Sequence, residues 1–305
     1  MGKIVVVGSI NMDYTALVKD LPLPGETLLA KGFQMSGGGK GANQAIAAAA
    51  FSKHVKMIGM LGDDPAGHAL YDKMKNKGID MSCVGFCETP TGNALINVAD
   101  QGKNTIVVFP GANHQLTEDI IEQYRDVVVD ADLVMMQLEI PMATVKKVAE
   151  IAFETKVPIL LNPAPAQKLD SDLLSKITYI TPNETELLRL TNSFETQRGA
   201  MALRALGVKN VIITLGSKGC YVKTDTEEFR VESFKVDAID TTAAGDSFSG
   251  ALAAQLALGV DLKTALKIAN ATGALTTTKI GAQEALPSKE EVEALLLANP
   301  KYLKD

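Results

Sequence analysis

Asp240-Thr241-Thr242-Ala243-Ala244-Gly245-Asp246-Ser247-Phe248-Ser249-Gly250 carries an acidic, threonine-rich turn into three small residues, an aspartate and an apolar helix expected over residues 248–258. A helix start presents unpaired backbone N–H groups and a partial positive charge. Ala243, Ala244 and Gly245 have almost no side chain, so an anion can approach those donors closely. Asp246 would stand beside that anion. Backbone dipoles that hold a moving phosphoryl group, next to a carboxylate that takes the proton of an attacking hydroxyl, suit phosphoryl transfer. The same residues also fit plain helix capping, because an Asp in the first turn complements the dipole. The rest of the chain has to separate the two.

Upstream of this stretch, from Asp132 on, strand and helix patterns alternate regularly. Strands are expected at 133–136, 158–161, 177–180 and 211–214, and helices at 143–154, 184–190 and 195–206. Successive βα units predict parallel strands joined by right-handed crossovers. The first apolar run, 4–7, ends at Gly8 and reads as another buried strand. It leads into Ser9-Ile10-Asn11-Met12-Asp13 and not into a GxGxxG fingerprint. In open α/β sheets ligands bind beyond the carboxyl ends of the strands. Asn11, Asp13, Glu139, Asn162, Asn183, Glu186 and Gly216 are therefore expected in one crevice, although Asn and Asp are also ordinary turn formers.

Ser36-Gly37-Gly38-Gly39-Lys40-Gly41-Ala42-Asn43-Gln44-Ala45 opens an alanine-rich helix. It is no Walker A loop, because Gly41 stands where Ser or Thr would follow the lysine. The glycines allow close backbone approach, and Lys40 and Asn43 suit the hydroxyls of a small polar ligand. Residues 27–35 read as one or two strands, and 94–98 and 105–109 as a hairpin turning at Asp100-Gln101-Gly102-Lys103. These segments interrupt the alternation and are expected to form a small sheet that serves as a lid or a dimer surface. A strand at 55–60 and helices at 66–77, 261–275 and 290–297 complete the pattern, the last with Ser288 as N-cap. The polar loop 276–282 lies where it can offer carbonyl oxygens to a hard cation near Asp240 and Thr242, unless Gly281 simply ends the helix.

Composition bounds the function from outside. The chain has 305 residues, 22% of them charged and 46% hydrophobic, which is ordinary for a soluble globular protein. A net charge of -6 without a basic cluster argues against nucleic acid as a partner. Cys83, Cys87 and Cys220 form neither a disulfide framework nor a CxxC pair, and His54, His68 and His114 are isolated. No signal peptide and no membrane span are expected, and the predicted compartment is a reducing cytoplasm.

Residues 39–45 and 240–246 together resemble the ribokinase family of carbohydrate kinases, which also holds adenosine kinase and the minor phosphofructokinases. The resemblance covers the whole length, one motif early and one late. It implies one α/β domain over 1–305: a central, mostly parallel sheet flanked by helices, with a small β-sheet lid formed by about 14–36 and 91–111. It further implies a homodimer paired through that lid. The implied reaction is transfer of a phosphoryl group from ATP to O5 of D-ribose. By this resemblance Asn11, Asp13, Gly39, Lys40, Gly41, Ala42, Asn43 and Glu139 hold the sugar. Asp246 is the base, and Ala243, Ala244 and Gly245 form the anion hole. Asn183, Thr214, Gly216, Ser217, Lys218, Gly219, Gly245 and Asn270 meet the nucleotide. Glu186 organises Mg2+ through water, and Asp240, Thr242, Thr276, Lys279, Gly281 and Ala285 surround an activating K+ ion. The chain departs from the pattern at Ala243, often glycine, at Ala285, often serine, and at Asn93, a lid position usually apolar and expected to bear on which sugar fits. The alternatives are a kinase for deoxyribose, fructose or adenosine, and a non-catalytic sugar-binding relative.

Overall fold

Four consecutive aliphatic residues, Ile4–Val7, form strand β1 and are buried without exception. So are the four of Leu133–Met136, its neighbour in a parallel ladder. Runs apolar at every position suit a sheet covered on both faces, where alternation would expose nothing useful. The structure, a computed structural model, describes residues 2–100 and 102–299; Gln101 of the expected 100–103 turn and the last six residues of the expected 1–305 domain lie outside.

In chain order the strands are β1, β2 (Asn11–Val18), β3 (Gly32–Gly38), β4 (Val55–Gly62), β5 (Asp80–Cys87), β6 (Gly92–Ala99), β7 (Asn104–Phe109), β8 (Leu133–Met136), β9 (Ile159–Leu161), β10 (Tyr179–Ile180), β11 (Asn210–Thr214), β12 (Cys220–Lys223) and β13 (Glu228–Val231). The helices are α1 (Lys40–Ala49), α2 (Pro65–Asn76), α3 (Glu118–Gln123), α4 (Arg125–Val129), α5 (Met142–Glu154), α6 (Ser171–Lys176), α7 (Glu184–Thr191), α8 (Thr196–Ala205), α9 (Ala244–Ala257), α10 (Leu262–Thr276) and α11 (Lys289–Ala298). Nine strands form one sheet in the order β13-β12-β11-β10-β9-β8-β1-β4-β5, parallel from β11 to β5. Only β12 runs antiparallel to the rest, between β11 and the edge strand β13. This is the expected α/β architecture. From β1 the chain winds one way through β4 and β5 and the other way through β8 to β11, so the switch point lies between β1 and β8. A crevice opens there beyond the strand ends.

The remaining four strands make a separate sheet in the order β3-β2-β6-β7. Asn11 and Asp13 are not a turn past β1, as their residue types allow, but the first residues of β2. They pair with Gly38 and Ser36 on one side and with Gly92 and Ala94 on the other. That register places Asn11, Asp13 and Ala94 on one face, and Met12, Gly37 and Asn93 on the opposite one. Asn93 thus points away from the Asn11 face, and its amide donates to Thr91 O at 3.4 Å. The expectation that Asn93 bears directly on sugar fit is not supported by this placement.

Helices α1 and α9 cover one face of the main sheet and touch through small residues. An added Cβ at Gly250 would lie 2.4 Å from the Gln44 carbonyl oxygen and 2.7 Å from Ala47 Cβ. This close approach lets side chains at the start of α1 reach the start of α9. We expect Gly250→Ala to lower unfolding free energy by about 1–3 kcal/mol through overpacking. It should also lower turnover by displacing Asp246, one helical turn earlier on the same face. Denaturant unfolding beside steady-state rates checks both effects.

Candidate active site

Asp246 is 7% exposed and sits in the first turn of α9. Its two carboxylate oxygens accept from two amides of α1: Asn43 Nδ2 at 3.0 Å and Gln44 Nε2 at 2.9 Å. Gln44 is held in turn. Its Nε2 also reaches Asn162 Oδ1 at 3.0 Å, and its Oε1 accepts from Gln137 Nε2 at 2.6 Å. Strands β8 and β9 deliver Gln137 and Asn162, so the main sheet itself fixes the orientation of the carboxylate. Asn43 spends its Nδ2 on Asp246, while its buried Oδ1 has no partner among the described residues. A buried acceptor left open calls for a donor such as a ligand hydroxyl.

The turn before α9 has the shape an anion needs. Ala243 is the N-cap residue with φ 58°, a left-handed conformation that costs a non-glycine residue about 1–2 kcal/mol. Ala244 N donates to Thr241 O at a long 3.3 Å. The N–H groups of Ala243, Gly245 and Asp246 meet no acceptor among the described residues, and the space beside Gly245 is open. Two of the open donors, Ala243 and Gly245, lie in the expected 243–245 stretch, and Asp246 adds a third.

Across the crevice, the glycine segment folds onto the end of β1. Gly39 has φ 84°, and a Cβ there would lie 2.7 Å from Asn11 N; one on Gly41 would lie 2.6 Å from Ser9 N. Ala42 N donates to Ser9 O at 2.9 Å. Glu139, beyond β8, accepts from Ser9 Oγ at 2.5 Å and from Lys40 N at 3.0 Å, which locks the switch point shut on its inner side. Asn11 is 3% exposed, and its Oδ1 accepts from Asn113 Nδ2 at 2.7 Å, while Asn113 Oδ1 accepts from Ile10 N. With its oxygen occupied, Asn11 offers its own N–H2 as a donor.

Charge accumulates here. Burial pushes the Asp13 carboxyl up to about 7, and the nearby Glu139, Asp246 and Glu284 charges add to the rise. Lys40 is held above its ordinary value, first by the Asp246 carboxylate, against its own burial, and further by Glu139, Glu186 and Asp13. One lysine thus answers several carboxylates.

On the far side of Asp246 the strand ends β10 and β11 meet. Asn183 and Thr214 form a parallel bridge, and Thr214 N donates to Pro182 O at 2.9 Å. Asn183 caps α7 reciprocally with Glu186, accepting from Glu186 N at 2.8 Å and donating to Glu186 Oε2 at 2.9 Å. Burial raises the Glu186 carboxyl, against the Asn183 N–H that favours its charge. Gly216-Ser217-Lys218 is a short 3-10 turn, with φ 56° at Gly216 and 86° at Gly219. Asn270 on α10 lies beside it, but its Nδ2 is directed at Val231 O (3.3 Å), Glu232 O (3.4 Å) and Cys220 Sγ (3.8 Å). It braces the wall of this region.

The geometry joins a polar, hydroxyl-ready pocket to an anion cradle through one carboxylate. The family model for pfkB family carbohydrate kinases matches residues 1–289. The chain belongs to this family. It is 39% identical over 292 residues to the ribokinase of Haemophilus influenzae, covering 94% of this chain and 95% of that one. It is 35% identical over 303 residues to the deoxyribokinase of Salmonella typhi, covering 97% and 99%. The structure of Arabidopsis thaliana ribokinase complexed with ribose and ATP superposes with a TM-score of 0.90 at 32% identity, over 97% of this chain and 98% of that one.

Membership in the family implies cations, and the residues can be tested for them. Among the described residues no group of three or more His, Cys, Asp or Glu forms a metal cluster. Of the residues expected around the ion, Asp240 alone carries a carboxylate, and the others would supply backbone carbonyls, a donor set that suits a hard monovalent ion. Asp240 draws the segments together: it accepts from Thr242 N at 2.9 Å, Thr242 Oγ1 at 2.6 Å and Gly281 N at 2.9 Å. Burial opposes its ionisation, yet the Thr242 and Gly281 hydrogen bonds prevail and hold it below the usual carboxylate range. The side chains of Thr276 and Lys279 turn elsewhere, to Ser247 Oγ and to Glu291, so only their carbonyls are available. Ala285 is fully buried and adds no side-chain oxygen. The Glu186 oxygens keep lone pairs beyond the Asn183 bonds, enough for the waters of a magnesium ion. Ser9, Gln44, Asn113 and Gln137 belong to the site without having been singled out from the sequence as carrying it; only Gln44 lay inside a recognised motif.

Proposed function

We propose that the protein transfers the γ-phosphoryl group of ATP to O5 of D-ribose. The observation that carries this is Asp246: a buried carboxylate oriented by two amides, beside open N–H donors at a helix start. The sugar lies between Asn11, Asp13, residues 39–43 and Glu139, with its primary hydroxyl toward Asp246. Asp246 takes the hydroxyl proton as O5 attacks phosphorus and ADP leaves. The Gly245 and Asp246 N–H groups hold the charge on the transferred oxygens. Asn183, Thr214 and residues 216–219 would hold the ATP, and Glu186 would bind waters of the magnesium that accompanies it. A monovalent cation held at Asp240 would fix the turn that leads into α9. A reducing cytoplasm suits the three free cysteines.

The second reading is 2-deoxyribose, favoured by the relative named for it. The Asn113 contact argues for ribose, because it turns the Asn11 amide N–H2 into an open donor for a sugar hydroxyl. We expect kcat/KM for ribose to exceed that for 2-deoxyribose by roughly 10- to 100-fold, the worth of an unpaired buried donor. ADP release measured with ribose, deoxyribose, fructose and adenosine, with and without potassium, tests this. Equal or better turnover of another sugar would displace ribose, and indifference to potassium would remove the cation from the reading.

The lid also carries a dimer proposal. Phe33, Met35, Leu95, Val107 and Phe109 on one of its faces are between 47% and 65% exposed. Such a patch calls for a partner, and a second copy of the chain supplies it. Leu95→Asp is expected to give a monomer by sedimentation where the native protein is a dimer.

A further inference from the structure

Gln283 lies between Gly281 and Ala285 in the loop that Asp240 anchors, yet no part of the site described so far uses it. Its side chain is 3% exposed, and neither Oε1 nor Nε2 has a hydrogen-bond partner among the described residues. Both ends of a buried amide left unmade are costly, and folded proteins rarely keep such a group without a use. What the amide faces is informative. A Cβ at Gly37 would lie 2.3 Å from Gln283 Oε1, 2.9 Å from Cδ and 3.1 Å from Nε2. The Gln283 amide therefore occupies the volume that any side chain at position 37 would need. Gly37 is the second-to-last residue of β3, on the face opposite Asn11 and Asp13 and immediately before the Gly38-Gly39-Lys40 backbone that would wrap the sugar. Gln283 stands behind residues 37–39, and it joins that segment to the loop between α10 and α11.

We propose that Gln283 is a positioning residue for sugar binding: its amide makes its hydrogen bonds to the backbone around Gly37 when residues 37–39 close on the sugar. The unpaired amide belongs to the sugar-free state, and pairing it adds to the affinity for the sugar without touching the reacting atoms. This deepens the reading of the site as a sugar kinase and rests on it.

The test uses Gln283→Met, which keeps length and volume and removes the polar atoms. The expected result is a KM for ribose raised about 10-fold with kcat within about twofold of native. The thermal midpoint of the sugar-free variant should be equal or higher, and its increase on adding ribose should be smaller. An unchanged KM, or a loss confined to kcat, overturns the proposal. So does a lowered sugar-free midpoint with an unchanged response to ribose, which marks an amide already paired in the resting fold. A second measurement covers a Met variant that folds poorly. Gly37→Ala should raise the KM strongly in the native background and only weakly beside Gln283→Ala; simple additivity of the two changes contradicts the coupling. If the native protein releases no ADP with ribose, the kinase reading falls first and this inference falls with it.

Discussion

Asp246→Asn is expected to bind ribose nearly as the native protein does and to turn over about 10²-fold or more slowly, the scale of a lost general base. The substitution changes little in volume but removes the carboxylate proposed to take the hydroxyl proton. It also carries a structural penalty that the hydrogen bonds make predictable. Both oxygens of Asp246 accept from amide N–H groups, one from Asn43 and one from Gln44. With the Asn43 amide kept in its present orientation, an asparagine must therefore point its own N–H2 at one of these donors, whichever way its own amide is turned. Removing an acceptor from a buried donor costs about 1–3 kcal/mol. Unfolding free energy should fall by that much, and calorimetric ribose affinity should stay within about threefold. A turnover within tenfold of native would remove Asp246 from the base role and favour a binding protein built on the same fold.

Asp13→Asn is expected to raise the KM for ribose by about 10- to 100-fold, since a hydrogen bond to a charged carboxylate is worth about 1.5–3 kcal/mol. The same change should make the sugar-free protein more stable at pH 8. The reason is the carboxyl pushed up to about 7 by burial and by Glu139, Asp246 and Glu284. Between the ordinary carboxylate value of 3.8 and about 7, the native state holds a proton that the unfolded chain has released. Native stability from this group therefore falls as pH rises through that window and levels off above about 7. Sugar hydroxyls donating to Asp13 favour its charged form, so ribose binding should release a proton and tighten as pH rises toward 7. Thermal midpoints and ribose affinities at pH 5 to 8 check both slopes. Asp13→Asn should flatten each, and an unchanged slope in the variant would place the titration elsewhere.

Much of this was legible in residue order, for identifiable reasons. A strand buried on both faces must be apolar at every position, so β1, β8, β9 and β11 declare themselves, and parallel pairing follows from the helices between them. Strand β5 sets Asp80, Ser82 and Gly85 among its apolar residues, and β12 and β13 form an antiparallel hairpin at the edge, so neither announces itself in the same way. Asn11 and Asp13 read as turn residues because their types favour turns. They enter a strand only because the Gly37-Gly38 backbone and Gly92 lie alongside, with no side chain in the way; a Cβ at Gly38 would meet Asp13 Oδ2 at 2.1 Å. Asp246 and Asn43 were readable from local motifs. Asn113 and Gln137 were not, because their partners stand 102 and 93 residues away and no periodicity or spacing encodes such a bond.

The most direct test of the central claim is the identity of the product. The protein is incubated with ATP, magnesium, potassium and D-ribose, ADP release is followed, and the sugar product is examined by phosphorus NMR. The expected result is one ADP per sugar and a phosphate ester coupled to two protons on C5, formed by the native protein and nearly lost in Asp246→Asn. Ribose-independent ADP release, or a phosphate carried on the anomeric carbon, would contradict it.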